Sequence, residues 1–345
     1  MPFTTISFLS SRNRGISPDL KLIEHNLGRR VEDVSLRYYV NSELISNRML
    51  KEGRKKAKEQ FCQKSSPFIC IDSSLPAGFE KMAGDEKRIL VATPFDYQFK
   101  NMLALENDSA FSVKTFRCFS HILATSPFTS ELLKNAYELE GTQVIDNICA
   151  PVAWDINQSE KQVQIRDMFE FYYPNMKGKK VISVLTVGEI ARDYRTLFEN
   201  FDLEKFLNHL GEDWFLLTNN WFFLERAAVL APEYIRSFGY ISEVLPSWNT
   251  LYFTDMMITN DCTFVSWYAS RRKPVYYLAY SKKTSENYMK KHYPDLYLEM
   301  PDKLYELRLT DTTETEEHKR FCEHFSYFPA SDPCEVVREL IVGNS

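Results

Sequence analysis

Short apolar runs alternate with longer amphipathic stretches along most of this chain. Residues 4–9, 34–40, 67–71, 88–92, 121–125 and 144–148 have the length of buried strands. Between them, residues 46–64 predict a charged amphipathic helix. Ser17-Pro18-Asp19 and Ser126-Pro127 each open a helix, with a serine at the cap and proline in the first turn. The second of these covers residues 130–139. Beyond Ala150-Pro151 the alternation resumes: helix 161–173, strand 181–185, helix 203–210, strand 214–217, helix 223–230 and strand 235–238. A helix, strand 256–258, a second helix, the basic turn Arg271-Arg272-Lys273 and strand 275–278 follow. Asp332-Pro333-Cys334-Glu335 reads as a capping box for a last helix, 333–342. Strands that alternate with helices of ten or more residues predict parallel sheets built from βαβ crossovers.

A chain of 345 residues is long for one core and ordinary for two domains. The joint is expected at residues 150–155, which gives domains 1–150 and 151–330, with residues 331–345 packing back on the body. With 44% hydrophobic and 26% charged residues the composition is that of a soluble globular protein. A net charge of −5 argues against general nucleic-acid binding, which needs a basic footprint. The seven cysteines form no Cys-x-x-Cys pair, so thiols in a reducing compartment are expected. The six histidines show no metal-ligand spacing and there is no Asp-x-Asp cluster, so neither metal nor cofactor is expected. The N-terminus lacks the features of a signal peptide, and no apolar run approaches the ~20 residues that span a bilayer. The expected location is cytoplasmic, with any membrane contact peripheral, at the inner face, through the cationic stretch 54–58.

Chemistry concentrates where strand 256–258 ends. Parallel sheets bind phosphorylated ligands at the carboxyl ends of their strands, where helix N-termini point N–H groups into the crevice. The corner Thr259-Asn260-Asp261-Cys262-Thr263 offers small hydroxyl, amide and carboxyl groups at such a place.

The run LYFTDMMITNDCTFVSWYASRRKPVYYLAYS resembles the C-terminal signature of the CDP-glycerol glycerophosphotransferases, which prime and polymerise teichoic acids and some capsules. That signature reads as Asp, a short apolar run, Thr-Asp-Tyr-Ser-Ser, a helix, then Lys-Pro and a strand ending in Tyr-Ala-Tyr. Asp255, Thr259, Cys262, Thr263, Lys273, Pro274, Ala279 and Tyr280 fall at matching places. Asn260 stands where the family has Asp, and Asp261 where it has Tyr. Upstream, ISVLTVGEIARDYRTLFENFDLEKFLNHLGEDWFLLTNN is similar to the family's strand, Thr-Phe-Arg-Asp loop and Phe-Asp-Leu helix. The resemblance covers residues 126–298. It implies a GT-B fold, α/β, with two Rossmann-like domains and a cleft between them. It also implies metal-independent transfer from a nucleotide-activated donor to a glycan or polyol-phosphate acceptor. Two family motifs are absent. Thr218-Asn219-Asn220-Trp221 replaces Lys-Pro-His-Pro, and Leu90-Val91-Ala92-Thr93-Pro94 replaces Trp-His-Gly-Thr-Pro, whose histidine is the family's candidate base.

Roles follow from these placements. Thr259, Asn260, Cys262 and Thr263, with Thr186 and Arg192 from the loop after strand 181–185, are the candidates for the donor phosphates; the guanidinium fork suits phosphate. Arg12, Asn13 and Arg14, in the loop after the first strand, are candidates for holding an anionic acceptor. Asp96 lies where the family's histidine loop would be and serves as a base if partial burial raises its pKa; His121 is the second candidate base. The first reading is a GT-B transferase of cell-surface polymer synthesis. The second is a non-catalytic relative that binds and stabilises a partner transferase.

Overall fold

The computed structural model describes residues 4–10, 18–30, 34–40, 68–71, 89–92, 119–139, 143–186, 198–241, 245–279, 288–309, 315–326 and 330–342. Their contacts divide the chain into two units. The first is Met1–Trp154 with His324–Ser345, and the second is Asp155–Glu323.

The first unit holds one parallel sheet of β1 (Thr4–Ser10), β2 (Val34–Val40), β3 (Phe68–Ile71), β4 (Ile89–Ala92), β5 (His121–Leu123) and β6 (Gln143–Ile145). Its order is β2-β1-β3-β4-β5-β6, so the winding reverses beside β1. Helix α1 (Pro18–Arg30) buries Leu20, Ile23 and Leu27, the three- and four-residue spacing of one helical face. Helix α2 (Pro127–Tyr137) starts at Pro127, three residues before the sequence expectation. Ser126 caps it by accepting from Thr129 N–H, and the Thr129 hydroxyl accepts from Ser126 N–H. The chain leaves this unit through the short helix α3 (Pro151–Asp155), whose Val152 N–H donates to the buried Asp19 carboxylate at 2.8 Å.

The second unit holds β7 (Lys180–Leu185), β8 (Trp214–Thr218), β9 (Phe238–Tyr240), β10 (Met256–Thr259), β11 (Val275–Leu278) and β12 (Tyr297–Leu298), all parallel, in the order β12-β11-β10-β7-β8-β9. Its helices are α4 (Ser159–Tyr172), α5 (Leu203–Leu210), α6 (Trp221–Ala227), α7 (Pro232–Ile235), α8 (Cys262–Ala269), α9 (Tyr288–His292) and most of α10 (Glu316–Phe325). Helix α5 buries Leu203, Phe206, Leu207 and Leu210 on one face, with Asp202 as cap and Gly211 at φ 71° where it stops. That face meets a phenylalanine cluster, in which Phe198 and Phe223 lie 5.2 Å apart between ring centroids.

Elements of the second unit differ from the sequence reading as well. The expected strand at 235–238 starts later, at Phe238, because Pro232 begins a helical turn that runs through the half-exposed Ile235. The expected helix before β10 is a 3-10 segment, Ser247–Tyr252. The edge strand β12 is only two residues long and carries too little pattern to be seen in the sequence. Chain re-entry at His324 leads to α11 (Pro333–Val342), which packs on α1 and brings Cys334 Sγ within 3.9 Å of Leu22 O. The expected helix 46–64 lies outside the described residues.

Candidate functional site

Read from β9, the second sheet has the order third, second, first, fourth, fifth, sixth. This is the doubly wound order in which a crevice opens between the first and fourth strands at their carboxyl ends. Those strands are β7 and β10, and their register sets Thr259 beside Leu185. The residues immediately after them, Thr186 and Asn260, therefore flank the switch point.

The loops around this point are tied by amides and hydroxyls. Thr186 N–H donates to Asn219 Oδ1 at 2.8 Å, and Asn219 Nδ2 donates back to Thr186 O at 3.1 Å. The Thr218 hydroxyl donates to Val184 O at 2.7 Å and accepts from Asn220 N–H at 3.0 Å. Asn220 then caps α6 by accepting from Phe222 N–H at 2.9 Å. Thus Thr218-Asn219-Asn220, the tripeptide that stands in place of a family motif, locks the β7 and β8 loops together. Sequence reasoning assigned Asn219 no role; its one available signal was an amide directly after a strand.

On the β10 side the corner is built by its own side chains. The fully buried Thr259 hydroxyl accepts from Asp261 N–H at 3.1 Å. Asp261 caps α8, its carboxylate accepting from Thr263 N–H at 2.6 Å. Thr263 is 4% exposed, whereas Asn260 and Asp261 are half-buried. The Thr259 hydroxyl thus shapes the corner from within, while Asn260 and Asp261 stay partly open to solvent. The carboxylate holds one of the N–H groups a phosphate would seek at a helix start.

The other half of the same signature lies at the opposite edge of the sheet. Lys273 Nζ pairs with Asp255 Oδ1 at 2.7 Å and donates to Thr254 O at 3.2 Å, before β11 and β10 begin. Asp255 Oδ2 accepts from Val181 N–H at 2.9 Å. Beneath this clamp the buried Tyr268 hydroxyl donates to Thr254 O at 2.8 Å, and burial raises its pKa well above that of a free tyrosine. Arg271 donates to Ile156 O at 3.1 Å, and its burial lowers its pKa. Asp255, Arg271 and Lys273 hold the scaffold.

Of the remaining candidates, Cys262 opens α8 and His121 opens β5, half-buried and in register with Val91 and Gln143. His121 is thus two residues below the carboxyl end of its strand. Arg12, Asn13, Arg14, Asp96 and Arg192 lie outside the described residues. Among the described residues no group of three or more His, Cys, Asp or Glu could hold a metal ion. Among them, too, no helix is long and apolar enough to cross a membrane. Cys149, Cys322 and Cys334 are buried thiols outside any disulfide, and burial pushes the Cys149 pKa up.

Two units, each a doubly wound parallel sheet, with a polar corner at a topological switch point, define an α/β protein of the GT-B class. The chain belongs to the CDP-Glycerol:Poly(glycerophosphate) glycerophosphotransferase family, a family of transferases whose model matches residues 3–318. Among solved structures it is similar to the wall teichoic acid polymerase TagF, at a TM-score of 0.62 and 14% identity over 99% of this chain and 88% of that one. It is also similar to a putative UDP-N-acetylglucosamine 2-epimerase from Listeria monocytogenes, at a TM-score of 0.61 and 11% identity over 99% and 95% of the two chains. The UDP-GlcNAc 2-epimerase from Methanocaldococcus jannaschii aligns at 0.55 and 11% identity over 98% and 100%. No curated protein matches in sequence.

Proposed function

We propose that this protein transfers a polyol phosphate or a sugar from a cytidine-type nucleotide donor to a growing cell-surface polymer of the teichoic acid kind. The observation that carries this reading is the switch point between β7 and β10. Thr186 and Asn260, both within the matched family region, directly follow its two strands, and the switch point of a doubly wound sheet suits a phosphorylated ligand. Support for the donor class comes from the wall teichoic acid polymerase TagF, a variant of which has been soaked with CDPG.

In this proposal Thr186, Asn260 and the start of α8 at Cys262 face the donor diphosphate, and Arg192 supplies the cation that steadies it as it leaves. Thr259 and Thr263 keep the corner in shape. Arg12, Asn13 and Arg14 hold an anionic acceptor, and Asp96 takes the proton from its hydroxyl. No step calls for a metal. The protein acts at the cytoplasmic face of the membrane, with peripheral contact only.

A second reading, a non-catalytic relative that stabilises a partner transferase, draws on two observations. Both family histidine motifs are replaced, and the Asp261 carboxylate occupies an N–H of the helix start. Calorimetry with CMP, CDP, UDP and GDP, followed by product analysis with the best ligand, separates the two. Binding of a cytidine nucleotide with turnover supports the transferase. Binding without turnover on any acceptor supports the second reading, and binding of none of the four overturns the donor site altogether.

A further inference from the structure

We infer that Trp221 is the platform on which the pyrimidine ring of the donor nucleotide stacks, an inference that rests on the donor site proposed above. Trp221 is the first residue of α6, three residues beyond the carboxyl end of β8. In a sheet wound in this order the nucleoside of a bound nucleotide lies over the first and second strands, beside the phosphates at the switch point. Here those strands are β7 and β8. Their loops are fastened to each other by the two hydrogen bonds between Thr186 and Asn219, so Trp221 and the crevice belong to one tied edge.

The side chain itself is set apart from its neighbours. Phe222 and Phe223 are 7% and 0% exposed, whereas Trp221 is 60% exposed. A single exposed apolar residue is unremarkable when it is loose, but this indole is pinned. Its Nε1–H donates to Glu225 Oε1 at 3.0 Å, one helical turn on. Its ring meets that of Tyr240, at the carboxyl end of β9, edge-on at 6.1 Å and 83°. A ring already held in place gives up little freedom when a ligand lands on it, which favours its use as a contact surface. An aromatic face holds any planar base by stacking, and the phosphates beside it then fix which way the nucleotide lies.

The test compares CMP with inorganic pyrophosphate on the full chain by calorimetry, with urea unfolding as a control for folding. Trp221→Ala is expected to weaken CMP binding about ten-fold or more while leaving pyrophosphate binding unchanged. Trp221→Phe is expected to keep CMP affinity within about three-fold of wild type, since a six-membered ring still stacks. Equal CMP affinity in wild type and Trp221→Ala overturns the inference while the donor-site reading stands. Equal losses for CMP and pyrophosphate also overturn it, because the residue would then act on the phosphates or the loop. A wild-type protein that binds neither probe removes the donor site and the inference with it.

Discussion

Lys273 and Asp255 are joined across 2.7 Å at the amino edge of the second sheet, yet Thr259, four residues after Asp255, sits at its carboxyl edge. One strand, β10, thus separates two halves of a single sequence signature. The half with the opposite charges clamps the sheet, and the half with small polar groups lies at the switch point. Replacing Asp255 with alanine should cost stability by about 1–3 kcal/mol, because Val181 N–H and the Lys273 ammonium both lose a partner. Lys273→Met should cost less, since both side chains are about a third exposed and water screens the pair. Urea unfolding measures both. The folded variants should bind nucleotide as the wild type does, and a large loss of affinity would place the pair in the site.

Asp261→Asn isolates the charge at the start of α8. Asparagine caps a helix as well as aspartate, so stability should change by less than about 0.5 kcal/mol. Loss of the carboxylate beside the donor phosphates should tighten nucleotide binding two- to five-fold, roughly the effect of one charge at a helix terminus. Weaker binding in this variant would make Asp261 a ligand contact.

Arg192→Ala should weaken nucleotide binding about ten-fold, as expected for removal of a charge-assisted hydrogen bond. Asp96→Asn should leave that affinity intact and abolish turnover, because a base acts on the acceptor's proton. Calorimetry and a turnover assay on the same preparations check both, and loss of nucleotide affinity in Asp96→Asn would remove it from the role of base.

Gly239 lies in β9 under a tight ceiling. A Cβ there would meet Leu217 Cδ2 and Tyr173 Cδ1 at 2.9 Å, and Phe215 Cε1 at 3.0 Å. Gly239→Ala should therefore destabilise the protein by about 1–3 kcal/mol through overpacking, read as a lower urea midpoint. An unchanged midpoint would mean that the three side chains yield freely.

Tyr252 donates its hydroxyl to Asp155 and is buried. Burial first, then the hydrogen bond to Asp155 and its charge, raise the phenol pKa above the usual ~10. The unfolded chain ionises this group first, so its contribution to stability is complete below pH ~10 and is lost as pH rises beyond that value. Tyr252→Phe should be less stable than wild type by about 1 kcal/mol at neutral pH. The two stability curves should then converge above pH ~10, and parallel curves would sink the assignment.

Much of this fold was legible along the chain. Met256 to Ile258 is an unbroken apolar run and Val181 to Leu185 is interrupted only by Ser183, the kind of pattern a strand covered on both faces requires, and both are strands of a parallel sheet. Ser126-Pro127 and Asp332-Pro333 announced their helices by cap chemistry, which acts over three or four residues. The family signature was legible too, because residue order survives where identity does not.

What a residue does inside that signature was another matter. Thr259 and Thr263 read as ligand groups by their type; the structure buries both, and the Thr259 hydroxyl accepts from Asp261 N–H. Asn219 carried no local signal, since it acts by reaching Thr186, 33 residues away in sequence. Trp221 reads as core together with Trp214, Phe222 and Phe223, and the structure buries those three but leaves Trp221 exposed. Periodicity and caps are local energies, so the sequence alone determined the elements and the parallel βαβ class. Which strand lies beside β7, and hence which loops border the crevice and which residues brace the opposite edge, depends on packing between distant segments. That was decided only by the tertiary structure.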